Sequence, residues 1–156
     1  AFLLINLEVF RLIVKKVFLG DAGTTIIGIF LCWYLIKLSN GSTAVFRPIC
    51  AIWLLALPIM DTLAVMIRRI KNHQSPFKPD RDHIHHLLLE AGLSQAKTLF
   101  LLVFLSALLA GIGVIGEIKN IYEPYMLYSL VFVFIGYCVL RSKLHRLYYR
   151  KFSNLK

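Results

Sequence analysis

The stretch Thr98-Leu-Phe-Leu-Leu-Val-Phe-Leu-Ser-Ala-Leu-Leu-Ala-Gly-Ile-Gly-Val-Ile-Gly116 runs for nineteen residues without a formal charge. At a helical rise of about 1.5 Å per residue it matches the roughly 30 Å of a bilayer's hydrocarbon core. Pro124 to Leu140 adds seventeen more uncharged residues. Working outward, apolar runs also cover about 24–38 and 48–67. The reading is an all-α, polytopic membrane protein with spans near 24–38, 48–67, 98–116 and 125–140. A loop over 68–97 and a tail over 141–156 complete it. Composition agrees: 58% of the 156 residues are hydrophobic and 17% charged, against about a quarter charged in soluble domains.

The net charge of +10 raises the question of nucleic acid, and its placement answers it. Arg11 to Lys16, Arg68 to Lys97 and Arg141 to Lys156 hold 3, 6 and 6 of the 18 basic residues. The remaining connectors carry only Lys37, Arg47 and Lys119. Alternation of rich and poor loops is the positive-inside pattern, which places the rich ones in the cytoplasm. The basicity therefore marks topology, and no nucleic-acid partner is expected. Cys32, Cys50 and Cys138 lie in apolar stretches without metal or pairing spacing and read as packing residues. The chain opens inside an apolar run, Ala1 to Leu7. That run reads as the end of a fifth helix and the whole as a piece of a longer protein.

The turns Ser39–Thr43 and Glu117–Glu123 are short, but 68–97 is long and holds four of the five histidines. Its two prolines, Pro76 and Pro79, exclude a helix before Asp80. Asp80 is placed to cap a short helix over about Arg81 to Ala91, stopped by Gly92. Ser94 is placed to cap the third span.

Three places could carry chemistry. In Phe18-Leu-Gly-Asp-Ala-Gly-Thr-Thr25, two glycines turn the chain into a helix whose first N–H groups favour anions. Asp21 there is a helix cap on one reading and, on another, the carboxylate through which Mg²⁺ meets a pyrophosphate. Phe18 beside it is a membrane anchor or a platform for a base. In His83-Ile-His-His86, only His83 and His86 share a helical face by spacing. The pattern lacks the zincin arrangement, so zinc is not expected. The cluster reads either as interfacial decoration or, with Arg68, Arg69 and Lys71 upstream, as a phosphate site. Asp61 is an acid inside the second span, either functional or paired with Arg68 and Arg69 two turns on.

Taken in order, Val17-Phe-Leu-Gly-Asp-Ala-Gly-Thr24, Pro58-Ile-Met-Asp61, Arg68-Arg69 and Ser75-Pro-Phe-Lys-Pro-Asp-Arg-Asp-His-Ile-His-His86 resemble the polyprenyl-phosphate N-acetylhexosamine-1-phosphate transferases. The resemblance runs from Asn6 to about Gly116. It implies transfer of GlcNAc-1-phosphate from UDP-GlcNAc to undecaprenyl phosphate, with release of UMP. That step would initiate O-antigen lipopolysaccharide and enterobacterial common antigen. It implies a multi-pass protein of the bacterial inner membrane with a cytoplasmic active face, and leaves room for a homodimer. By the same carry-over Asp21 would ligate Mg²⁺ (or Mn²⁺) and His83 would be catalytic. Asn6, Phe18, Arg69, His85 and His86 would bind substrate. Neutralising phosphate charge by cations is most of what such a reaction requires.

The chain departs from the family's pattern in two ways. Thr24 stands in place of a usual Ser, which changes little. The paired aspartates of an Asp-Asp-x-x-Asp stretch are missing, since the aspartates here are Asp21, Asp61, Asp80 and Asp82. The expectation is therefore the C-terminal part of one transferase domain, inactive without N-terminal helices that carry those acids. A sister transferase for UDP-MurNAc-pentapeptide would have three consecutive histidines, and Ile84 interrupts them here. A transporter fragment or a non-functional remnant are the readings from other classes.

Overall fold

The computed structural model describes residues 20–42, 44–76 and 83–153, with backbone alone for Asp21 and residues 145–153. The helix end expected at 1–10, Asn6, Phe18, Asp80 and the side chain of Asp21 lie outside this description. Among the described residues the chain is all-α: α1 (Gly20–Ser39), α2 (Pro48–Leu54), α3 (Ala56–Lys71), α4 (Ile84–Glu90), α5 (Gln95–Ile118) and α6 (Glu123–Ser153). Three helices are long and apolar enough to cross a membrane, through Ala22–Ser39, Gln95–Ile118 and Glu123–Leu144. Taking α2 and α3 as one broken span makes four. Large apolar side chains face outward, with Phe100 74% and Phe132 79% exposed, the surface that a bilayer rather than water would cover.

The chain divides at Val45 into two units. The first contributes α1. Gly20 enters it at φ +69°, a left-handed conformation that suits a residue without Cβ. Thr24 Oγ1 then donates to the Gly20 carbonyl at 3.3 Å. At the other end Lys37 Nζ lies 5.0 Å from the Trp33 ring centroid, and Asn40 Nδ2 donates to the Ile36 carbonyl. Asn40 thereby takes a carbonyl that the helix end would leave unpaired, while Lys37 rests on an aromatic face.

The second unit is built around one core of Ile49, Trp53, Ala56, Leu57, Met60, Leu109 and Met126. The sequence reads 48–67 as a single span, but the structure bends it by 76° between α2 and α3. Pro58 stands just past this bend, with no N–H to offer the Leu54 carbonyl and a ring that crowds that turn. The helical ladder resumes where Ile59 N–H donates to the Leu55 carbonyl at 3.1 Å. On the α2 side, Trp53 is 1% exposed and lies directly against Gly113 of α5, while its Nε1 donates to the Met126 carbonyl at 3.3 Å. Arg47 ties the far turn together, pairing with Glu117 at 3.0 Å and donating to the Gly116 and Ile121 carbonyls.

Three helix ends use the same device. After α3, α4 and α5 come His73, Gly92 and Asn120, with φ of 55°, 96° and 50°. In each case the next residue's N–H reaches back into the last turn: Gln74 to Arg69, Leu93 to Leu88 and Ile121 to Gly116, all at 2.9–3.1 Å. This is the Schellman closure. Gly92 matches the stop read from sequence. Ser94 Oγ caps α5 as expected, accepting from Lys97 N–H at 3.4 Å.

Candidate functional site

Asp61 sits on α3 next to the core residue Met60 and is 8% exposed. A carboxylate buried among apolar helices needs donors on both oxygens, and it has them. Oδ2 lies 2.8 Å from His83 Nδ1. Oδ1 accepts from the Ile84 N–H at 3.1 Å and from the Tyr137 hydroxyl at 2.8 Å. Arg141 Nε stands 3.9 Å from the same Oδ1, and Arg141 is itself 5% exposed. One acid thus joins α3, the start of α4 and the middle of α6.

This differs from the pairing that sequence spacing suggests. Arg68 and Arg69 lie seven and eight residues beyond Asp61, which along a helix is about 10–12 Å. Arg69 is buried, at 6% exposed, and its Nη1 donates to the Pro76 carbonyl at 2.8 Å. It holds the start of the loop that leads to the histidines.

The short helix of the loop spans Ile84–Glu90, rather than beginning near Arg81. His83 is its N-cap residue, extended at φ −64° and ψ 150°, and its own side chain makes no cap bond. The cap is supplied from α3, by Asp61 on the Ile84 N–H. Leu87 and Leu88 bury the inner face of α4, which packs on α5 and α6.

Because His83 precedes the helix, its ring is free of the helical face rule that separates positions i and i+2. His83 and His85 stack with centroids 6.0 Å apart and planes 11° from parallel. The His85 and His86 rings are 4.1 Å apart. All three imidazoles therefore form one contiguous row, where spacing grouped only His83 with His86. Partial desolvation, then the neighbouring His86 and His83, push the His85 imidazole below its ordinary value of 6.5. The His83 side chain is 38% exposed, and Nε2 makes no hydrogen bond among the described residues.

The structure thus brings together His83, His85 and His86, sets Arg69 at the base of the same loop, and adds Asp61, Tyr137 and Arg141. Sequence reasoning passed over Tyr137 and Arg141. The available signal was a phenol and a guanidinium one helical turn apart at the end of an apolar run, facing an acid that needed partners. Among the described residues no three His, Cys, Asp or Glu side chains are grouped to hold a metal ion. Asp61 is not a candidate ligand, since its oxygens already accept from His83, Ile84 and Tyr137. The side chains of Asp21, Asp80 and Asp82 lie outside the described residues.

These features define a multi-pass helical membrane protein with a buried acid–imidazole pair at its longest loop. Over 130 residues the chain is 42% identical to the undecaprenyl-phosphate alpha-N-acetylglucosaminyl 1-phosphate transferase of Escherichia coli (strain K12) and 41% identical to that of Salmonella typhi. Both alignments cover 81% of this chain and 35% of the relative. The transferase of the same name from Pasteurella multocida (strain Pm70) is 41% identical over 122 residues, 78% of this chain and 34% of the relative. The chain is a homologue of the C-terminal part of these transferases. It spans about a third of the length of the curated relatives it matches. No family model matches it, and no solved structure matches it significantly.

Proposed function

We propose that this chain is part of a membrane transferase that passes GlcNAc-1-phosphate from UDP-GlcNAc to undecaprenyl phosphate. The products are undecaprenyl-diphospho-GlcNAc and UMP. The observation that carries the reading is the 42% identity over 81% of the chain to transferases of that name. The row of His83, His85 and His86 supports it, as a group of imidazoles able to hydrogen-bond a phosphate-bearing substrate at a membrane face. The positive-inside alternation favours a cytoplasmic position for that row in a bacterial inner membrane, where a soluble nucleotide sugar meets the lipid. In this reading the lipid phosphate oxygen forms a bond to the sugar-bearing phosphorus as the bond to UMP breaks.

Asp21 belongs to the proposal as a residue that would hold magnesium, which would supply charge neutralisation at the pyrophosphate. One carboxylate is a weak magnesium site, and the Asp-Asp-x-x-Asp stretch that the resemblance implies does not occur in these 156 residues. For that reason the chain alone is expected to be inactive. The test is a chimera in which this chain replaces the matching part of the Escherichia coli (strain K12) relative. With radiolabelled UDP-GlcNAc and undecaprenyl phosphate it should release UMP, and Asp21→Asn should abolish release. UDP-MurNAc-pentapeptide should not substitute. A chimera that inserts and folds yet releases no UMP would sink the proposal.

A further inference from the structure

We propose that Asp61 is a positioning residue that sets which nitrogen of His83 carries the proton. Its bonding pattern makes the assignment directional. A carboxylate oxygen only accepts, so the 2.8 Å contact between Asp61 Oδ2 and His83 Nδ1 places the proton on Nδ1. The lone pair of the neutral ring is then on Nε2, in a side chain that is 38% exposed. Such second-layer hydrogen bonds to an imidazole fix both its tautomer and its ring plane. The same carboxylate takes the Ile84 N–H, so the backbone that carries His83 is held with its ring. Tyr137 and Arg141 fix the carboxylate in turn from α6.

The assignment changes what His83 offers a ligand. Nε2 of the neutral ring is an acceptor, suited to a hydroxyl or a protonated phosphate oxygen. It offers no donor to a fully ionised phosphate, a role it could take only as imidazolium. His85 and His86 remain the members of the row that can donate while neutral. The consequence for phosphosugar transfer rests on the transferase reading, whereas the tautomer does not.

Asp61→Asn separates the two. Oδ1 receives both the Ile84 N–H and the Tyr137 hydroxyl, so the amide oxygen of the substituted side chain must take that position. Its NH₂ group then faces His83 Nδ1 and demands a lone pair there, moving the ring proton to Nε2. The swap is isosteric, and the remaining bonds keep their sense.

The measurement is long-range ¹H–¹⁵N NMR of the full chain labelled at histidine and reconstituted in lipid nanodiscs. The parent chain should show Nδ1–H for His83, and Asp61→Asn should show Nε2–H. A parent His83 in the Nε2–H form overturns the proposal without recourse to any variant. So does an unchanged tautomer in a folded Asp61→Asn chain. In the chimera described above, Asp61→Asn should lower UMP release on the order of 10²–10⁴-fold, the range for one mis-set acid–base group. It should add no further loss on top of His83→Ala. An independent further loss would show that Asp61 acts other than through His83. If the chimera is inactive from the start, the transferase reading fails, and the tautomer result still decides the role of Asp61.

Discussion

Asp61 Oδ2 and His83 Nδ1 lie 2.8 Å apart although twenty-two residues separate them, and Asp61 Oδ1 caps the helix that begins at the next residue, Ile84. A buried acid on a membrane helix is therefore spent on ordering a loop. The energetic logic is plain, since an unpaired carboxylate in such a place is expensive and a satisfied one is directional. The loop inherits that direction. Its histidine row is held to α3 by the Asp61 carboxylate and to α6 through Tyr137.

Tyr137→Phe removes one of the two donors on Asp61 Oδ1 while keeping the ring in place. Hydrogen bonds between membrane helices average about 0.6 kcal/mol, but an ionised acceptor raises the value toward roughly 1.5–3 kcal/mol. We expect a loss of about 1–2 kcal/mol in resistance to SDS unfolding in mixed micelles. An unchanged unfolding midpoint would show that Arg141 and the backbone already satisfy Oδ1.

Two glycines of α5, two residues apart, give opposite predictions. A Cβ on Gly113 would run into Trp53, whereas one on Gly111 meets nothing within 4 Å. Gly113→Ala should destabilise the chain by about 1–3 kcal/mol, the usual effect of overpacking. Gly111→Ala should stabilise it by up to about 1 kcal/mol through helix propensity. Fluorescence-monitored unfolding of the two variants should shift in opposite directions, and a shared sign would contradict this placement of Trp53.

The lowered His85 value gives a pH prediction with a definite sign. Because the folded chain holds that proton less tightly than the unfolded one, stability contributed by neutral His85 is present above about pH 6.5. It declines as pH falls through 6.5 toward the folded value. A phosphate anion bound to the row should raise the midpoint again. Histidine NMR titration of the chain with and without UDP should show His85 below 6.5 alone and higher with UDP. A midpoint above 6.5 in the free chain would exclude desolvation, aided by the neighbouring His86 and His83, as its dominant influence.

What the sequence disclosed follows from how local each cause is. Thr98 to Gly116 and Pro124 to Leu140 announce helices because the bilayer demands long uncharged runs, and both lie within observed helices. Gly92 was legible as a helix stop because glycine advertises a positive φ. His73 and Asn120 make the same closure without that advertisement. The partners of Asp61 could not be read, since spacing along α3 points to Arg68 and Arg69. The actual donors come from a loop twenty-two residues on and a helix seventy-six residues on. The contiguous histidine row was hidden for a related reason, as it depends on the helix starting at Ile84 and not before.

The bend between α2 and α3 offers a prediction about what a single proline does. Pro58 withholds an N–H from the Leu54 carbonyl, but Trp53 packed under Gly113 could hold the same angle by itself. Pro58→Ala distinguishes these causes. Spin labels at Ile52 and Ile67, each 38% exposed, straddle the bend. Along an unbroken helix their backbones would stand about 22 Å apart at a rise of ~1.5 Å per residue, and the 76° bend shortens that separation. If the missing hydrogen bond sets the angle, the label distance should lengthen in Pro58→Ala toward the straight value. The Asp61 cap on Ile84 should weaken with it, because α3 carries Asp61 three residues past the proline. A distance unchanged within the width of the distribution would assign the bend to the Trp53 packing instead, and His83 should then keep its proton on Nδ1 in that variant.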